Sequence, residues 1–214
     1  MILTLGCSFT YGAELPGIDR ETLAWPYVLA SMLNTTVNNQ GKNGASPSAV
    51  FRAAIEDPTE YELVVIEWPD PSRLEIWDSV TNTPINVNVS SLHNTKPHLS
   101  WVKDYYTNSF DDLFSYKVWY SQVLALQEYY KSRNQRYLFF PIAGLKGRYH
   151  DYKDDLSYLW DRIDTDKYIG WPMDGFVEFQ GDCPKAPGGH PLELGHKRVA
   201  ERIYEHIRDL GWLP

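Results

Sequence analysis

Met1-Ile-Leu-Thr-Leu-Gly-Cys-Ser-Phe-Thr-Tyr-Gly12 opens the chain with an apolar run that breaks at Gly6-Cys7-Ser8. Four apolar or β-branched residues from Ile2 to Leu5 predict a buried strand, and the small-residue turn ends it. Open α/β folds build their ligand sites beyond the carboxyl ends of such strands, which makes Ser8 the first candidate for chemistry. The plainer reading of Ser8 is a helix N-cap, whose hydroxyl satisfies orphan N–H groups.

Working outward, Trp25, Val28, Leu29, Met32 and Leu33 fall at helical spacing, with Pro26 tolerable in a first turn. A short strand is expected at Thr35 to Asn38. The turn Asn39-Gln-Gly-Lys-Asn-Gly44 follows, and Ser46-Pro47 starts a helix running to about Ile55. Leu63-Val-Val-Ile66 is a continuous apolar run, as expected of a parallel strand covered on both faces. Two prolines in Glu67-Trp-Pro-Asp-Pro-Ser-Arg-Leu-Glu75 predict a loop. A long helix ends near Arg133, Tyr137-Leu-Phe-Phe140 is a further strand, and Val199, Ile203 and Leu210 mark one face of a final helix. Strands alternating with helices predict an α/β fold: a three-layer α/β/α sandwich with a mostly parallel central sheet.

The 214 residues fit one domain, spanning 1–214, with a polar insertion at about 76–115 read as a hairpin, a lid or a plain surface excursion. Gly144 to Gly181, without a clean period, is expected to wrap over the carboxyl edge of the sheet. A net charge of −8 argues against a nucleic-acid partner, which requires a basic face. The two cysteines, Cys7 and Cys183, are too few for a disulfide framework or a zinc site, so a reducing compartment is expected and no metal or cofactor. The opening apolar run is too short for a signal peptide, and nothing approaches a membrane span. The expectation is a soluble cytoplasmic protein without a membrane partner.

At the far end of the chain, Gly188-Gly-His-Pro-Leu-Glu-Leu-Gly-His196 places His190 just before the final helix. A neutral imidazole is the usual base for a Ser hydroxyl, because it titrates near working pH. Cys7 is the weaker nucleophile candidate, since alternation along a strand points it away from the side Ser8 faces. His196 reads as a packing or capping residue. The order Gly6-Cys7-Ser8, Asn39 to Gly44, then His190 resembles the SGNH or GDSL-like hydrolase family.

That resemblance implies a flavodoxin-like fold and a serine ester hydrolase. It would act through a Ser8–His190 dyad or triad and an acyl-enzyme, with the Ser8 and Gly44 N–H groups at the oxyanion. The substrate would be a small-molecule or carbohydrate ester, for example an O-acetyl ester. Two departures stand out. Pro69 occupies the family's Asn position and can offer no donor, so another group, such as the Trp68 N–H, has to substitute or turnover is slow. Pro187 occupies the position of the Asp that orients the base, leaving Asp182 or a backbone carbonyl to serve instead.

Arg73 is expected either to pair with a substrate carboxylate or to form a surface pair with Glu75. Tyr11, Trp68 and Trp171 either wall the substrate cleft or pack in the core. The Trp-Pro-Asp-Pro-Ser-Arg loop and the Gly-Gly-His-Pro block also resemble members encoded by tailed phages, which implies an infected host cell or a virion. The alternative to an esterase is a catalytically degenerate binding or structural protein on the same fold. A phosphate held on helix N-termini ranks last, without a Gly-rich phosphate signature.

Overall fold

The structure, a computed structural model, describes residues 1–89, 97–145 and 151–213. Its main sheet contains β1 (Ile2–Leu5), β2 (Val37–Asn39), β3 (Leu63–Trp68) and β6 (Tyr137–Pro141), in the order β2-β1-β3-β6 and parallel throughout. Every residue of β1, β3 and β6 is buried. The continuous apolar runs follow from helices covering both faces.

Alternation along the strands sorts the core into two layers. Ile2, Leu63, Val65, Leu138 and Phe140 pack against α3 (Trp25–Met32) and α9 (Glu193–Asp209), which contributes Val199, Ala200 and Ile203. Leu3, Leu5, Val64, Ile66, Tyr137 and Phe139 face α4 (Pro47–Glu56), α6 (Asp112–Ser132) and α7 (Lys153–Trp160). Each fully buried aliphatic or aromatic side chain contributes about 1.5–3 kcal/mol relative to exposure. This is the expected three-layer α/β/α sandwich. Among the described residues, no helix is long and apolar enough to cross a membrane.

Two short helices flank the first turn: α1 (Ser8–Tyr11) directly after β1, and α2 (Arg20–Leu23) before α3. β3 runs two residues further than its apolar run, through Glu67 and Trp68, because burial on both faces continues there. A second, antiparallel sheet pairs β4 (Leu74–Asp78) with β5 (Thr83–Val87), so the excursion expected at about 76–115 starts as a hairpin two residues earlier. It carries its own small core of Val87, Leu99 and Val102, beside the one-turn α5 (Trp101–Asp104). The stretch 90–96 of that excursion lies outside the described residues, as does 146–150 of the segment expected to wrap the edge.

That second segment contains α7, whose Leu156, Leu159 and Trp160 are buried, and α8 (Phe176–Gln180). It returns to the sheet at Tyr168, which bridges Phe139 in parallel. Sequence periodicity missed α7 because only a narrow stripe of this short helix is apolar, among Lys153, Asp154 and Asp155.

Candidate active site

All four parallel strands end at the same edge, and the loops that follow them converge there. Ser8 is the first residue of α1, with Cys7 as its cap residue. Ser8 is 8% exposed, and among the described residues its hydroxyl makes one long hydrogen bond, 3.9 Å, to Cys7 Sγ. The backbone N–H of Ser8 heads the helix, where no intrahelical acceptor exists for it.

A fully buried carboxylate braces this turn from below. Glu67 Oε2 accepts from the Cys7 N–H and from Thr10 Oγ1, both at 2.9 Å, and Oε1 lies 3.5 Å from Cys7 Sγ. Burial raises the Glu67 pKa. Burial, then Glu67, push the Cys7 thiol up to about 12. A thiol so buried and so weakly acidic is not a nucleophile at neutral pH.

The turn after β2 is held by Asn39. Its Oδ1 accepts from the Gly41 N–H at 3.0 Å and from Thr4 Oγ1 at 3.2 Å, while its Nδ2 donates to the Thr10 carbonyl at 3.0 Å. One amide thus ties β1, α1 and the turn together. Gly41 lies so close to α1 that a Cβ there would stand 2.5 Å from the Tyr11 nitrogen. Gly44 adopts φ +71° in open space, a backbone that side-chain-bearing residues resist.

His190 lies in a tight loop: the Ala186 N–H donates to its carbonyl at 2.8 Å, and the Leu192 N–H donates to the Pro184 carbonyl at 3.2 Å. Its ring packs 5.3 Å from that of Phe9, the residue after Ser8. Its Nδ1 meets Glu14 Oε2 at 2.5 Å, and the other carboxylate oxygen of Glu14 accepts from the Gly188 N–H at 2.9 Å. The hydrogen bond with His190 leads in holding the Glu14 carboxyl below its ordinary pKa. With Nδ1–H donating to Glu14, Nε2 is left as an acceptor, the tautomer a general base requires. Among the described residues, Ser8 Oγ and His190 share no direct hydrogen bond.

The carboxylate on His190 is therefore Glu14. Asp182 is exposed and makes no hydrogen bond to the imidazole. Glu14 escaped sequence reasoning because a lone loop carboxylate has no spacing signal. Its one distinguishing mark, φ +64° in a residue other than glycine, exists only in the folded chain.

The remaining candidates divide. Trp68 is fully buried, edge-on to Trp119 and Phe139, in β3 rather than on a rim loop. Trp171 is half-buried against Tyr120 and Tyr168, so both tryptophans belong to the aromatic core. Tyr11 is half-buried at the end of α1, with the Arg20 guanidinium over its ring and bonded to its hydroxyl.

Arg73 does not pair with Glu75, which is held in two hydrogen bonds by Arg52, at 2.7 and 3.0 Å. Instead Arg73 Nη1 donates to the Ala45 carbonyl at 3.3 Å, one residue from Gly44. His196 is fully buried, and its Nδ1 accepts from the Trp25 N–H at 3.2 Å, at the start of α3. Burial depresses its pKa to about 4, so it stays neutral and structural.

No protein-family model matches the chain, and no curated protein does. Solved structures do. The psychrotrophic esterase EstA from Pseudoalteromonas sp. is similar at 15% identity and TM-score 0.55, over 98% of this chain and 97% of its own. A member of the lipolytic protein G-D-S-L family from Veillonella parvula DSM 2008 is similar at 12% identity and TM-score 0.50, over 95% and 96%. A family two carbohydrate esterase from Clostridium thermocellum, solved with cellohexaose, is similar at 17% identity and TM-score 0.53, over 99% of this chain and 65% of its own. The chain has the SGNH/GDSL-like hydrolase fold.

Proposed function

We propose that this protein is a serine ester hydrolase. Ser8 Oγ attacks the ester carbonyl while His190 Nε2 takes its proton, and Glu14 holds the imidazole in register and supports its positive charge. The Ser8 and Gly44 N–H groups donate to the oxyanion. The alcohol leaves with the proton from His190, and water, activated by the same base, clears the acyl group from Ser8.

The observation that carries this reading is the Glu14–His190 pair, built at the sheet edge where Ser8 heads α1. A 2.5 Å contact from a residue at φ +64° is an arrangement that ordinary packing does not require. The substrate is a carboxylic ester or an O-acetyl ester with a small acyl group on a polar carrier such as a sugar. The esterases among the structural neighbours support that class, the carbohydrate esterase with its bound cellohexaose most directly.

The second reading, a binding protein on this fold, is favoured by the lack of a direct Ser8–His190 hydrogen bond and by Pro69. Labelling with a fluorophosphonate, read by peptide mass spectrometry, separates the two. The esterase reading expects phosphonylation of the Ser8 peptide, lost in Ser8→Ala and in His190→Ala. A folded protein that takes no label is the binding protein.

A further inference from the structure

The oxyanion of a tetrahedral intermediate is best held by several donors, and one of the loops at this site has a proline where a donor is expected. Pro69 has neither an N–H nor a polar side chain, and its carbonyl is occupied by Trp119 Nε1 at 3.2 Å. The same loop delivers a different donor four residues later. Asp70 Oδ1 accepts from the Ser72 N–H at 2.8 Å, and the Arg73 N–H donates to the Asp70 carbonyl at 3.1 Å, which closes a tight turn. Tyr106 Oη locks this turn from outside, donating to the Ser72 carbonyl at 2.7 Å and reaching the Val87 carbonyl at 3.2 Å.

The Arg73 side chain leaves this turn toward Ala45, the residue after Gly44. Its Nη1 braces on the Ala45 carbonyl, and among the described residues no carboxylate lies within ion-pair distance of it. A guanidinium has five N–H donors in a planar fork, of which this brace uses one. The positive charge also reaches the base of the nucleophile turn, where it opposes the upward pKa shifts of Cys7 and Glu67. An arginine fixed by a tight turn, half-buried and free of carboxylates, is poised for an anion that forms only during reaction.

We propose that Arg73 is a catalytic oxyanion donor of the Ser8 site, its guanidinium supplying beside Gly44 the side-chain N–H that Pro69 cannot. The inference rests on the serine hydrolase reading and deepens it. It also sets the character of the site: a charged donor stabilises the alkoxide-like oxygen more strongly than a neutral amide, and charge-assisted hydrogen bonds are roughly twice as strong as neutral ones.

The test measures hydrolysis of a neutral acetyl ester, p-nitrophenyl acetate, by the full chain and by Arg73→Gln, Arg73→Lys and Arg73→Ala, with fluorophosphonate labelling and thermal unfolding alongside. Arg73→Gln and Arg73→Ala are expected to lose about a hundred- to a thousand-fold in kcat with little change in KM. Arg73→Lys keeps the charge without the fork and is expected to lose less. Guanidinium ion, added below denaturing concentration, is expected to restore part of the kcat of Arg73→Ala. A strut that only held the Ala45 turn would give no such rescue, and its loss would appear in the unfolding temperature.

A labelled, active parent whose Arg73→Gln and Arg73→Lys variants keep full kcat overturns the role of Arg73 and leaves the hydrolase reading intact. A parent that neither labels nor hydrolyses overturns both. Should Arg73→Ala fail to fold, the Gln and Lys variants carry the test.

Discussion

Glu14 holds both His190, through Nδ1 at 2.5 Å, and the backbone of Gly188 at 2.9 Å, so one carboxylate fixes the imidazole and the loop that carries it. Replacing Glu14 by Gln removes the charge that supports an imidazolium. The loss in kcat/KM is expected to approach the ten-thousand-fold scale known for such orienting carboxylates. Asp182→Asn, by contrast, is expected to hydrolyse p-nitrophenyl acetate at the parent's rate. Equal activity in Glu14→Gln and the parent would remove Glu14 from the relay.

Gly41 and Gly44 belong to one turn but resist substitution for different reasons. A Cβ at Gly41 would press on the backbone of Tyr11 and Thr10, in the helix headed by Ser8. Gly41→Ala should therefore cost about 1–3 kcal/mol and displace Ser8. Gly44→Ala meets open space and faces only the left-handed backbone, roughly 1–2 kcal/mol. Urea unfolding and kcat, measured together, are expected to show comparable stability losses but a larger rate loss at Gly41.

His196 gives stability an acid-side slope. It is neutral in the folded protein down to about pH 4, whereas the unfolded chain protonates it near its ordinary value of 6.5. Between those values the unfolded state binds more protons, so stability rises with pH. The contribution is complete above about 6.5 and lost as pH falls to about 4, an effect of about 3 kcal/mol. His196→Asn keeps an acceptor for the Trp25 N–H and should remove this rise with pH, read by urea unfolding at pH 4.5 and 7.

Glu67 gives a slope of opposite sign. Its folded-state pKa is raised by burial above the ordinary 4.5, so above that pH the unfolded chain releases the proton first. The folded state then binds more protons, and stability falls as pH rises until Glu67 itself ionises. Glu67→Gln retains an oxygen for Cys7 and Thr10, and is expected to be more stable than the parent at pH 7 but not at pH 4. Since the two slopes overlap, the parent's curve is flatter than either single variant's. A parent and a Glu67→Gln protein with parallel pH curves would show that burial does not raise the Glu67 pKa.

The fold was legible where burial was two-sided. Ile2 to Leu5, Leu63 to Ile66 and Tyr137 to Phe140 announce parallel strands because both faces are buried and almost wholly apolar, and the amphipathic stripe of Val199 and Ile203 announces the helix that docks on them. Glu67 broke the run at its end, and β3 continued past it because Cys7 and Thr10 satisfy the carboxylate in the dark. Of the candidate site, the sequence points to the residues that punctuate the chain, Ser8 at a strand end and His190 before a helix. It does not point to Glu14, whose value depends on a backbone twist and on a loop distant in sequence. For Trp68 and Trp171 the sequence left cleft wall and core equally open, because one follows a predicted strand and the other lies in an irregular segment, and tertiary packing places both against the core.

The one-turn helix α1 and the left-handed residue after it place the Ser8 hydroxyl and the Glu14 carboxylate on a single short stretch of chain. A site of this kind needs only two strands of covalent thread to meet, 7–14 and 186–190, where relays assembled from three distant segments need a third to arrive in register. The β4–β5 hairpin lies outside both segments, so on the proposed reading it can be reshaped around different esters without unseating the pair, provided Asn39, Glu67 and the Gly44 and Arg73 turns keep their places.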